Sequence, residues 1–186
     1  GDASVAGLLA TLAAADEGAL RDAARASLMG LRGKGVDDAI LAAVKDADEG
    51  VRIELLRALR DRRATAFAEP IAEIAAADRS AAVRRQCYSV LADLAGGEQL
   101  GRLVALLLRE RDTAARGTAE RAVLAVARRV EAPAERLQPV LAAHASAAGA
   151  ARATTVRLLG RLGGARALEA VLGDVGHRDA AVAEAA

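Results

Sequence analysis

Between Asp78 and Gly97 the apolar residues Val83, Cys87, Val90, Leu91 and Leu94 recur at i, i+4, i+7, i+8 and i+11. That spacing lines one face of an α-helix. Asp78-Arg79-Ser80 opens the segment as a turn, and Gly96-Gly97 closes it with the left-handed ending helices favour. The same unit recurs along the chain. Apolar–arginine pairs stand at Leu20-Arg21, Val51-Arg52, Val83-Arg84, Ala115-Arg116 and Ala151-Arg152, with a degenerate sixth at Val182-Ala183. Successive arginines are 31, 32, 32 and 36 residues apart. Helix endings repeat in phase at Leu31-Arg32-Gly33, Leu94-Ala95-Gly96-Gly97 and Leu162-Gly163-Gly164. A period in the low thirties with two helical patterns per period predicts a stack of helical hairpins.

Taken in order, the pattern predicts six repeats, over residues 1–35, 36–64, 65–97, 98–131, 132–164 and a partial 165–186. Repeat one has a first helix over 5–15 with Leu8, Leu9 and Leu12 inward, a turn at Asp16-Glu17-Gly18, and a second helix over 19–32. Repeat two opens on Asp37-Asp38, acids favourable at a helix start, and turns at residues 46–50 into a helix over 51–62. Pro70 falls in the first turn of the next first helix, where a missing N–H costs nothing. Repeat four has the most apolar first helix, 100–108, and the longest second helix, 114–130. In repeat five Pro133 opens a helix, Pro139 is expected to bend it, and the extra length is expected in the turn at 147–150. Repeat six carries Leu168, Val171, Leu172 and Val175 as its inward set, then a stub over 180–186. The chain begins without Met and stops inside a repeat, so it is expected to be a piece of a longer protein with an open C-terminal face.

The acidic turn, the Val-Arg pair, the alanine-rich second helix and the Leu-Gly ending resemble HEAT repeats, in particular the short bacterial kind also found in phycobilin-lyase-like proteins. The likeness is clearest in residues 46–59, 78–97 and 155–164, and Pro70 resembles the proline of many HEAT first helices. It implies an all-α, right-handed α–α superhelix of about five hairpins plus part of a sixth. The implied role is a non-catalytic scaffold that binds a protein or acidic peptide along the concave face of its second helices. An accessory of an enzyme system, as in the phycobilin-lyase-like proteins, is the alternative the resemblance leaves open. A solenoid that self-associates through its open C-terminal repeat is another. Neither the aromatic set of tetratricopeptide repeats nor the Thr-Pro-Leu-His of ankyrin repeats occurs.

Composition narrows the picture. Hydrophobic residues make up 53% and charged ones 27%, which excludes disorder, yet aromatics are only 1%. Phe67 and Tyr88 are the two of them, so the core must be thin and built by close helix–helix approach. A formal charge of +1 gives no bulk argument for nucleic acid. No apolar run approaches the ~20 residues of a membrane-spanning helix. The lone Cys87 sits on a core face and forms no internal disulfide.

Candidate chemistry is sparse. Asp46, Asp78 and Glu110 each stand six residues before Arg52, Arg84 and Arg116, which suggests a structural ladder of pairs. Ser146 and Ala15 occupy the equivalent places before Arg152 and Arg21, where the ladder is expected to fail. On the outward face of the second helices Arg57, Arg60, Arg85, Tyr88, Ser89, Arg121, Arg157 and Arg161 form a stripe suited to an acidic partner, since Arg and Tyr are common interface anchors. Glu54, Asp61, Asp93 and Glu120 dilute it. His144 and His177 have no third ligand beside them, so no metal or other cofactor is expected. No nucleophile elbow, triad spacing or phosphate loop survives inspection, and no catalytic residue is assigned.

Overall fold

Alanine-rich periodic segments joined by two- to seven-residue turns can bury their apolar faces only on one another. The computed structural model, which describes residues 5–15 and 17–186, shows that outcome. Among the described residues there is no strand. The chain divides into two compact units, Gly1–Leu94 and Ala95–Ala186. Asp16, expected in the first turn, lies outside the described residues.

The first unit holds α1 (Ala6–Ala15), α2 (Ala19–Gly30), α3 (Val36–Val44), α4 (Glu49–Asp61), α5 (Ala68–Ala77) and α6 (Ala81–Leu94), with a 3-10 turn at Thr65–Phe67. Consecutive helices pair as hairpins, and the second helices line up, α2 against α4 and α4 against α6. Local signals explain the boundaries. Gly35 adopts φ 77°, a conformation an L side chain resists, and α3 then starts with Asp37 and Asp38 in its first turn. Leu28, Ile40, Leu55, Leu56, Leu59, Ile71 and Leu91 are fully buried. Each contributes about 1.5–3 kcal/mol by leaving water. The predicted face of α6 is inward throughout: Val83, Cys87, Val90, Leu91 and Leu94 are at most 6% exposed.

In α1 the expected inward leucines are not the core. Leu8 is 63% exposed, Leu9 and Leu12 are half-buried, and Ala6, Ala10 and Ala13 are buried instead. Close approach is the reason. α1 packs on both α2 and α4, and a methyl group added at Gly50 of α4 would lie 3.5 Å from that of Ala14. Helices that near each other accept alanine between them and send leucine to the rim.

The second unit holds α7 (Leu100–Arg109), α8 (Thr113–Arg129), α9 (Pro133–Ser146), α10 (Gly149–Leu162), α11 (Ala165–Leu172) and α12 (Ala180–Ala185). First helices touch first helices, α7 with α9 and α9 with α11, while α8 touches α10 and α10 touches α12. Leu100, Leu103 and Leu107 of α7 are fully buried. Asp112 caps α8, its Oδ1 accepting the Ala115 N–H at 2.8 Å. Gly163 and Gly164, with φ of 69° and 98°, make the helix stop expected there, in backbone that an L side chain resists.

Three expectations are corrected in this unit. Gly96 is extended rather than left-handed, and Gly97 is needed for space, since an added Cβ would sit 3.0 Å from Val130. The extra length of repeat five lies in α9, which has 14 residues against 10 in α7, while the α9–α10 turn is only Ala147-Ala148. Pro133 at the first helical position lets α9 begin early. In α11 only Ala167 is buried, with Val171 half-buried beside Ala153, Val156 and Val182. Leu168, Leu172 and Val175, expected inward, are 59%, 60% and 62% exposed.

Candidate functional site

The repeat arginines come first, because their partners decide how much charge the surface keeps. Arg52 does not pair with the exposed Asp46 six residues before it. Its guanidinium reaches Asp78, in the turn of the following repeat. Arg152 likewise reaches forward, donating from Nε and Nη2 to Asp174 Oδ1 at 2.9 and 2.8 Å. The Asp78 and Asp174 side chains are only 7% and 1% exposed. The expected failure at Arg152 therefore does not occur, because its acid lies ahead of it. Arg21, where the ladder is expected to fail, has the adjacent Asp22 as its ion pair, at 3.9 Å. Arg116 does meet Glu110, but through the backbone: Nε and Nη2 donate to the Glu110 carbonyl at 2.9 and 2.7 Å. The Glu110 carboxylate accepts the N–H groups of Arg111 and Asp112. Arg84 donates to the carbonyls of Asp78 and Arg79. Arg52 and Arg152 thus tie one hairpin to the next and are cancelled by buried carboxylates, while Arg84 and Arg116 anchor to the backbone of their own turns.

On the outward face of the first unit most charge is also cancelled. Glu54 is 6% exposed and accepts from Arg25 Nε and Nη2, both at 2.7 Å, and from Arg57 Nη1 at 2.6 Å. Burial pushes the Glu54 carboxyl up, but the Arg25 hydrogen bonds and the Arg57 charge more than offset it, leaving it below its ordinary value. Glu54 in turn raises Arg25 above its ordinary value, first through those hydrogen bonds. Arg60 pairs with Asp61 at 2.9 Å and approaches Asp93 at 3.9 Å. These three residues border a polar cleft of about 420 Å³ with Arg63 and Thr65. Arg85 is exposed and Ser89 half-buried. Tyr88, expected as the aromatic of the stripe, is 1% exposed and belongs to the core. It follows Cys87 directly, and one residue turns the helix by only ~100°, which keeps Tyr88 within the buried arc.

The second unit differs. Arg121 of α8 and Arg157 of α10 are exposed, and neither is in an ion pair among the described residues. Each donates instead to a threonine three residues before it, Arg121 Nη2 to Thr118 Oγ1 at 2.9 Å and Arg157 Nη2 to Thr154 Oγ1 at 3.1 Å. Both hydroxyls spend their own proton on a carbonyl four residues back, Ala114 at 3.1 Å and Ala150 at 2.8 Å. The threonine oxygens are therefore acceptors, and the guanidinium groups are oriented without being neutralised. Arg161, 60% exposed in its side chain, crosses to Glu120 of α8 at 2.9 Å.

One cluster was not anticipated from the sequence. His144 Nδ1 lies 3.0 Å from Thr155 Oγ1, and His144 Nε2 lies 3.5 Å from Asp174 Oδ2. The order resembles a catalytic triad, but the proton runs the wrong way. Thr155 donates to the Arg152 carbonyl at 2.7 Å, so its oxygen accepts from His144, and Thr155 is 0% exposed. Arg152 closes the knot through Asp174, tying α9 and α10 to the turn after α11. Burial, then the Arg152 charge, lowers the His144 pKa below 6.5 against the opposing pull of Asp174. Cys87 is buried, and that burial pushes its thiol pKa far up, which makes it a poor nucleophile. Among the described residues no cluster of three or more His, Cys, Asp and Glu side chains is placed to hold a metal, and no helix is long and apolar enough to cross a membrane.

A sequence signal for the second unit was available. Residues 136–168 contain no Asp or Glu, yet carry Arg136, Arg152, Arg157, Arg161 and Arg166. Over 95–186 there are thirteen arginines and ten carboxylates, whereas 1–94 has thirteen basic residues and fifteen acidic ones. Near-zero total charge hides that asymmetry. Comparison with protein-family models gives no match, and comparison with curated protein sequences gives none.

Proposed function

We propose that the hairpins are HEAT-like repeats of a right-handed solenoid and that the chain is a non-catalytic scaffold, binding a partner protein on the outward face of its second helices. One observation carries this reading. Arg25, Arg52, Arg57 and Arg152 of the second helices are paired with buried carboxylates, while Arg121 and Arg157 are held by neutral hydroxyls and keep their charge at the surface. Orienting two long side chains costs entropy, and an exposed charge that is oriented but unpaired is suited to a partner. The test is capture from native lysate by wild type and by Arg121→Glu/Arg157→Glu, read by mass spectrometry with circular dichroism as the folding control. Partners retained by wild type and lost by the folded variant support the scaffold. Identical captures refute the assignment of this face.

Self-association is a second reading with its own observation. Leu168 and Val171 line an apolar cleft of about 330 Å³ with Leu159 and Gly164, beside the exposed Leu172 and Val175. Concentration-dependent mass in light scattering, abolished by Leu168→Lys, would favour it over a monomeric scaffold.

A further inference from the structure

We propose that the α8–α10 face of the second unit binds an acidic polypeptide segment through carboxylates, and that Glu120 is an internal competitor for that site. The inference rests on the scaffold reading and adds the chemistry of the partner.

The Arg161–Glu120 bond joins α8 to α10, so it brings residues 120 and 121 of one helix opposite residues 157–161 of the other. Arg121, Arg157 and Arg161 therefore share one patch. α10 contains no acidic residue, and Glu120 is the sole carboxylate within α8. A guanidinium has five N–H donors in a planar fork that matches a carboxylate. At Arg121 and Arg157 one terminal nitrogen is spent on threonine, which fixes the plane of the fork and leaves its other donors to solvent. The carboxylate of Glu120, already seated on Arg161 at 2.9 Å, shows the group the patch accommodates. An incoming Glu or Asp side chain would take Arg121 and Arg157 directly and Arg161 by displacing Glu120. A segment with several carboxylates on successive residues supplies all three.

The test uses the full chain and a fluorescein-labelled octaglutamate peptide, with octaglutamine as its uncharged equivalent, followed by fluorescence anisotropy at two salt concentrations. Octaglutamate should bind, weaken as salt rises, and exceed octaglutamine by at least about tenfold, a difference of ~1.4 kcal/mol. Arg121→Gln/Arg157→Gln should lose about tenfold without adding repulsion, and Glu120→Gln should tighten binding severalfold. Arg166→Glu/Arg178→Glu changes two exposed arginines outside the patch by two charges each, and should leave affinity within about twofold if the site is local. Absent octaglutamate binding, equal binding of the two peptides, or equal losses in the two arginine pairs would overturn the proposal. If octaglutamate fails while the captured partners of wild type still depend on Arg121 and Arg157, the scaffold reading stands and the acidic specificity falls. If neither depends on them, both fall.

Discussion

Replacing Glu54 with glutamine tests whether the first unit is held by a buried charge cluster or only by its leucines. The carboxylate accepts three charge-assisted hydrogen bonds, two from Arg25 of α2 and one from Arg57 on its own helix, with 8% of its side chain exposed. Such bonds are worth about 1.5–3 kcal/mol each when a charged group is involved, and breaking a buried pair costs about 3–5 kcal/mol. Two features pull the figure down. The Arg25 and Arg57 side chains are 32% and 27% exposed, so both can return partly to water. Glutamine keeps one acceptor in place. We therefore expect a loss of about 2 kcal/mol in urea denaturation followed by circular dichroism, near the lower end of those ranges. Glu49→Gln, at an exposed position of the same helix, keeps an acceptor for the hydrogen bond from Ser80 Oγ at 2.6 Å and should cost less than about 0.5 kcal/mol. A double-mutant cycle with Arg25→Met should return at least about 1 kcal/mol of coupling. Equal effects of Glu54→Gln and Glu49→Gln, or no coupling, would refute the argument.

Other outcomes follow from the same geometry. His144 resists protonation in the fold, whereas in the unfolded chain it charges below its ordinary value of 6.5. Stability should therefore fall as pH drops from 7 through 6.5 toward the lowered folded value, and His144→Gln should flatten that part of the pH–stability profile. Glu54, with its pKa lowered in the fold, adds stability that is present above 4.5 and lost as pH falls through its folded value, so Glu54→Gln should flatten the more acidic limb. Tyr88→Ala should cost about 3–5 kcal/mol by leaving a cavity, with binding per folded molecule unchanged. Leu168→Lys should change monomer stability by less than about 0.5 kcal/mol, as read from thermal melts at low concentration.

Helix faces were legible wherever large and small residues alternate cleanly. Val83, Cys87, Val90, Leu91 and Leu94 specify one arc, and that arc is buried. In α1 nearly every residue is Ala or Leu, so no arc stands out, and the choice of alanine for the core came from helix–helix distance. The arginine period was visible in the chain, but the direction of the pairing was not. Sequence proximity favours the acid six residues back, while stacking sets the next turn opposite the guanidinium, as Arg52–Asp78 and Arg152–Asp174 show. Sorting the outward arginines needed their neighbours. Arg57 and Arg121 occupy equivalent places, and only the residue three before each, Glu54 or Thr118, decides whether the charge is cancelled or displayed.

The most direct measurement compares two charge-matched variants for binding a partner captured by wild type. Arg121→Glu/Arg157→Glu and Arg166→Glu/Arg178→Glu alter net charge equally, and affinity can be read by titration calorimetry on the purified pair. The first variant should lose at least about tenfold, or ~1.4 kcal/mol, and the second should stay within about twofold of wild type. Equal losses would mean the partner senses only overall charge, and a first variant that binds like wild type would contradict the assignment of the α8–α10 face.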